Sequence, residues 1–149
     1  MLARLAVTGL GLPQIRQDDL AMNLAASLHI ANGYAIYRPV GDLTLQAAAA
    51  AVTQAIELCH RHQVKRLLVD GTALTGVESL SMIDRYEIVT QWATVAKGIK
   101  IAFATHPEML EPTKFGITVA ANRGFQINGF TSESEALAWL LDPQTDSPD

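Results

Sequence analysis

Leu67-Leu68-Val69, inside the segment Arg66 to Asp70, is apolar at every position, and Ile99 to Ala104 largely repeats that pattern further along the chain. Successive side chains of a strand point to opposite faces, so such runs need apolar cover on both sides, as in a parallel sheet sandwiched by helices. The segments between them supply that cover. Leu45, Ala48, Ala49, Val52, Ile56 and Cys59 recur at the three-and-four spacing of one helical face. Thr44 is placed to cap this helix, and His60, Arg61 and His62 sit at its carboxyl end, where the helix dipole favours positive groups.

Upstream, Leu24 to Ile30 and Tyr34 to Val40 read as two strands joined by Ala31-Asn32-Gly33, a hairpin whose Asn-Gly suits the positive φ angles of primed turns. Pro39 belongs at a strand end, and Gly41-Asp42 breaks the strand. After a loop from Gly71 to Gly76, a second helix is expected from Ser79 to about Ala96. Pro112 to Asn122 reads as a shorter helix closed by Gly124, and Phe125 to Phe130 as a final strand. Thr131 or Ser132 caps a last helix, with Glu133 and Glu135 in its first turn. These elements predict an α/β domain: an N-terminal hairpin strand plus repeated strand-helix units, forming a mostly parallel four- to five-stranded sheet with about four helices and right-handed crossovers. The expected organisation is an arm over residues 1–22, the domain over 23–141 and a frayed, acidic, Pro-containing tail over 142–149.

Composition narrows the partners. The chain has 149 residues, 49% of them hydrophobic and 17% charged, which is a globular profile. Its net charge is −4 with basic residues scattered singly, so neither nucleic acid nor an acidic membrane surface is an expected partner. A single cysteine, Cys59, precludes an internal disulfide and suits a reducing compartment, so the expected location is the cytoplasm. Met1 to Leu12 is mostly apolar but is broken by Arg4, Thr8, Gly9 and Gly11, unlike the core of a secretory signal.

Gly41-Asp42-Leu43-Thr44 before the first helix, Leu67-Leu68-Val69-Asp70 before a loop and helix, Ala121-Asn122-Arg123-Gly124-Phe125, and Ala136-Leu137-Ala138-Trp139-Leu140 together resemble the STAS and SpoIIAA-like superfamily. The closing pieces are most similar to its uncharacterised SpoIIAA-like branch, over about Leu24 to Leu141. The resemblance implies a non-enzymatic regulatory domain that binds a protein partner, as a monomer or homodimer, with no cofactor and no metal. It also directs attention to the stretch Asp70 to Ser81, where anti-sigma-factor antagonists present a phosphorylatable serine at the start of their second helix. Glu78 and Ser79 fall on the acidic residue and the switch serine of that pattern, whereas Leu80-Ser81 departs from it. The candidate binding residues are Asp70, Thr72, Thr75, Glu78, Ser79 and Ser81, with Ser79 as the candidate phosphosite. A phosphate there would meet unpaired amides and a favourable dipole, with Glu78 beside it to repel the new charge.

Simpler roles stand beside these. Ser79 serves equally as an N-cap, and Thr75 with Glu78 fits a capping box. Asp70 ends a central strand, where α/β sheets bind ligands, but a strand-terminal Asp also organises its own loop. Cys59-His60-x-His62 does not make a metal site, because residues two apart on a helix face different ways. There is no Gly-x-Ser-x-Gly and no nucleotide-binding glycine motif. Met82, Tyr86, Trp92 and Trp139 are expected to pack a core, or alternatively to line a pocket for a small apolar, lipid-like ligand that the domain carries or senses. An enzyme built on Asp70 and His106 requires those two residues to converge.

Overall fold

The computed structural model describes residues 28–77, 79–110 and 114–146. Leu24 to Ser27 of the expected first strand, the 1–22 arm, Glu78 and the start of the expected 112–122 helix lie outside the described residues. Strand β1 (Leu28–Ala31) pairs antiparallel with β2 (Tyr34–Tyr37) across a two-residue turn. Gly33 takes φ 82° while Asn32 does not take a positive φ, so the turn uses one left-handed residue and not the two of a type I′ turn.

From there strands and helices alternate. After the short strand β3 (Gly41–Asp42), helix α1 (Leu45–Arg61) begins at Thr44, whose side chain accepts the amide of Ala47, and β4 (Arg66–Asp70) follows. Strand β3 pairs in parallel with β5 (Leu74–Thr75), so what reads as a strand break and a loop forms a small second sheet. Helix α2 (Met82–Ala93), β6 (Lys100–Ala104), α3 (Phe115–Asn122), β7 (Gln126–Phe130) and α4 (Glu133–Leu141) complete the chain. The main sheet runs β1-β2-β4-β6-β7, and every pairing but the first is parallel. The protein is therefore α/β, with a mostly parallel five-stranded sheet and four α-helices among the described residues. None of those helices is long and apolar enough to cross a membrane.

The doubly apolar strands receive their cover unequally. Leu67, Ile101 and Ile127 face α1, α2 and α3 and join the larger core, which also takes Ala55, Ile56 and Cys59 from α1. Leu68 and Ala102 face the other way, against Ala136 and Leu140 of α4. Cys59 has no exposed surface, and burial pushes its thiol up to about 12, so it packs as a small apolar group.

Two basic residues fix the carboxyl-terminal segment beneath the sheet. Arg66 and Lys100 lie opposite each other in the β4–β6 register. Arg66 donates to both carboxylate oxygens of Asp146, at 3.1 and 2.7 Å, and to the carbonyl of Leu140. The Lys100 side chain is only 6% exposed, and its ammonium is surrounded by the Trp139 carbonyl at 3.0 Å, Thr145 Oγ1 at 2.5 Å, Asp146 Oδ1 at 2.7 Å and the face of Trp139. A buried ammonium needs this many acceptors to offset its lost hydration. The expected frayed tail is thus corrected as far as Asp146: residues 143–145 form a 3₁₀ turn capped by Asp142, and Asp146 closes the ion pairs.

Hydrogen bonds and charge from Arg66 and Lys100 hold the Asp146 carboxyl below its usual range. A carboxylate depressed in the folded state contributes stability above its unfolded pKa and loses it as pH falls through the folded value. Asp146→Asn is therefore expected to lower the urea midpoint at pH 7, with the difference from wild type shrinking below about pH 4 and closing once Asp146 is protonated in both the folded and unfolded chain. Equal midpoints at pH 7 would show that the tail adds nothing.

Candidate functional site

Strand β4 ends at Asp70, where its carboxylate Oδ1 accepts the Thr72 amide at 2.9 Å and the Thr72 hydroxyl at 2.7 Å, a turn closed by an aspartate on its own loop. Burial raises the pKa of Asp70, but its side-chain interaction with Glu133, the hydrogen bonds from Thr72 and the charge of Arg38 outweigh this and leave it below the ordinary carboxylate range. Arg38 in turn grips Glu133 through two bonds, at 2.6 and 3.0 Å, joining the end of β2 to the start of α4. Asp70 thus faces the α4 side of the sheet. His106 follows β6 and lines the opposite side, and no hydrogen bond joins the two among the described residues.

The loop after Asp70 differs from its expected form at the helix start. Helix α2 begins at Met82, and its cap is Ser81, not Ser79. Ser81 Oγ accepts the Asp84 amide at 3.0 Å while Asp84 Oδ2 accepts the Ser81 amide at 3.2 Å, a reciprocal capping box downstream of the expected one. Thr75 is engaged elsewhere, its hydroxyl bonding Asp42 Oδ1 at 3.0 Å and the Gly41 carbonyl at 3.3 Å and so bracing the β3–β5 ladder. Gly76 follows at φ 96°, where a Cβ would lie 2.5 Å from the Leu43 carbonyl oxygen, so only glycine fits. Ser79 is exposed, has no capping role, and stands before the helix in place of inside its first turn. Glu78, the acidic partner expected beside it, lies outside the described residues.

The polar residues Thr72, Thr75, Ser79 and Ser81 lie on the exposed side of this loop, while Leu74, Val77 and Leu80 form one wall of a cavity of about 400 Å³. The cavity lies between the helical layer α1–α3 and the carboxyl ends of β4, β6 and β7, and it is partly open to solvent. Its origin is a change in side-chain size along α1. Near the amino ends of the strands α1 presents Ile56 and Cys59 to a filled core, whereas along its first half the small side chains of Ala48, Ala49 and Ala51 alternate with Leu45 and Val52 at the wall of the cavity. Gly116 of α3 and Gly129 of β7 also line it, with Leu110 packed so closely on Gly129 that its Cδ2 would lie 2.7 Å from a Cβ there.

Trp92 keeps this space from collapsing. Its indole stacks on Phe103 with 5.3 Å between ring centroids, and its Nε1–H donates to the Ala49 carbonyl at 3.1 Å, so one side chain spans α2, α1 and the sheet. Of the four residues read as one core-or-pocket group, Trp92 alone lines the cavity. Met82 and Tyr86 are exposed, and Trp139 lies under the sheet against Phe130 and Lys100. Arg85 also lines the cavity, a residue that sequence reasoning passes over. It falls three, four and seven residues before Ile88, Val89 and Trp92, a cation on the apolar stripe of a helix, and that spacing is the signal that could have found it.

The histidines after Cys59 are exposed at the end of α1, and no group of three metal-binding side chains occurs among the described residues. No protein-family model matches the chain, and no curated protein matches it. The capping geometry makes a sharp distinction between the two serines. Ser81→Ala is expected to cost about 1 kcal/mol in urea unfolding and Ser79→Ala less than about 0.5 kcal/mol. The reverse order would return the cap to Ser79.

Proposed function

We propose that this domain binds a small apolar ligand at the carboxyl ends of its parallel strands, as a carrier or sensor, on a scaffold of the SpoIIAA-like type. The observation that carries the reading is the cavity itself. About 400 Å³ of mostly apolar-walled space, partly open to solvent, is a concave site that a ligand can enter and desolvate. It falls in the size range of small-molecule sites and at the strand ends where α/β sheets place their ligands. An apolar cavity of about 150 Å³ takes one benzene, so this volume suits an occupant of about sixteen carbon-sized atoms.

Binding without turnover fits two groups that lie away from the cavity lining. The Asp70 carboxylate is committed to Thr72, and the Cys59 thiol is inert at neutral pH. A second reading, a regulatory domain that meets a protein partner through residues 70–81, is favoured by Met82 and Ile83. These are 51% and 69% exposed immediately beyond that loop, beside the exposed Ser79. The two readings are compatible, because the loop whose outer side would meet a partner is also a wall of the cavity.

The neutral fluorophore N-phenyl-1-naphthylamine tests the first reading. Saturable binding of one molecule per chain is expected, with quenching or shift of Trp92 emission in a Trp139→Phe background. Ala48→Phe, which places a ring in the cavity, should weaken binding by about tenfold or more while the fold survives. Binding that does not saturate, or is indifferent to Ala48→Phe, would refute a ligand site here.

A further inference from the structure

Charge around the cavity does not follow the charge of the chain. The sequence carries 15 acidic and 11 basic residues, yet among the described lining residues there are two permanent cations, Arg85 and Lys114, together with His106, and no aspartate or glutamate. All three line the one cavity. Arg85 Nη2 donates to the Met109 carbonyl at 3.1 Å, which ties the start of α2 to the segment after β6 that carries His106. Met109 is the partner of the Arg85 guanidinium among the described residues, and it accepts from one of that group's five N–H donors. Arg85 is partly buried on an apolar stripe, where an arginine is best accommodated by a planar anion. Away from these residues the lining is mostly hydrocarbon and aromatic, including Val52, Val69, Trp92 and Ile127, with Thr105 and Asn128 as further polar members.

We propose that the cavity takes a single-chain amphiphile with an anionic head, its carboxylate or phosphate held at Arg85, His106 and Lys114 and its chain laid along Trp92 towards the filled core. This rests on the apolar-ligand reading above and adds the chemistry of the head. One apolar volume lined by cations and no described acid discriminates by both length and charge: a neutral head would leave the remaining Arg85 N–H donors without an anion, and a cationic head would be repelled.

Displacement of N-phenyl-1-naphthylamine by four twelve-carbon competitors, each below its micelle concentration, tests the inference: dodecanoate, dodecyl phosphate, dodecan-1-ol and dodecyltrimethylammonium. At least one of the two anions is expected to compete about tenfold or more tightly than the alcohol and the ammonium, and whichever anion leads identifies the head. Arg85→Gln and Lys114→Gln should each erode that preference while leaving dodecan-1-ol affinity unchanged, the unchanged alcohol showing that the variant has folded. Equal affinity for all four in the wild type would overturn the anionic head and leave an apolar site standing. Failure of the fluorophore to bind saturably would overturn both.

Discussion

The parallel pair β4–β6 stands at the centre of the sheet with apolar side chains on both faces, and the other elements are arranged by the need to cover it. Five consecutive register pairs, from Arg66 opposite Lys100 to Asp70 opposite Ala104, run without interruption. On one face the cover is α4, seated by Ala136 and Leu140. On the other it is three helices, and the larger layer is also the one that fails to fill. At the amino ends of the same strands the two basic residues of the first pair turn to a different purpose, anchoring Asp146 and with it the end of α4. The sheet therefore has a sealed end and an open one.

That polarity gives the proposed function its place. Ile56 and Cys59 of α1 pack the core near the strand starts, and the alanine-rich first half of the helix leaves space near the strand ends. Trp92 spans this space, stacked on Phe103 and bonded to the Ala49 carbonyl, and holds α2 off the sheet. Leu74, Val77 and Leu80 then wall the opening while the hydroxyl-bearing residues Thr75 and Ser79 remain exposed. A ligand inside this wall and a partner outside it would contact opposite sides of the same few residues, the arrangement by which occupancy could bias an interaction surface.

Much of this is legible in the amino-acid sequence. Arg66 to Asp70 is recovered residue for residue, as is the start of α1 at Thr44, because doubly apolar runs and a threonine before a helical stripe are local signals. Ser132 capping α4 follows from the same chemistry. The start of α2 is misplaced by the sequence reading because Ser79 and Ser81 are equivalent as local caps. The choice falls to Ser81 through Asp84, three residues on, while Thr75 is already committed to Asp42 across the chain. The tail is misread for a similar reason: its acidic, Pro-containing composition describes a free end, and only the pairing of β4 with β6 brings Arg66 and Lys100 together to bind it. The cavity is not legible in advance, since alanine on a buried helical face signals close packing unless the opposing surface is known to be short as well.

The central claim is that the space at the carboxyl ends of β4, β6 and β7 is a binding site. The most direct measurement is a ¹H–¹⁵N correlation spectrum recorded during titration with N-phenyl-1-naphthylamine. The account predicts saturating shifts of the Trp92 indole N–H and of amides at Val69, Phe103, Leu74 and Val77, while the Trp139 indole on the far face stays in place. Shifts confined to surface residues such as Met82 and Ile83, or equal movement of both indoles, would contradict it.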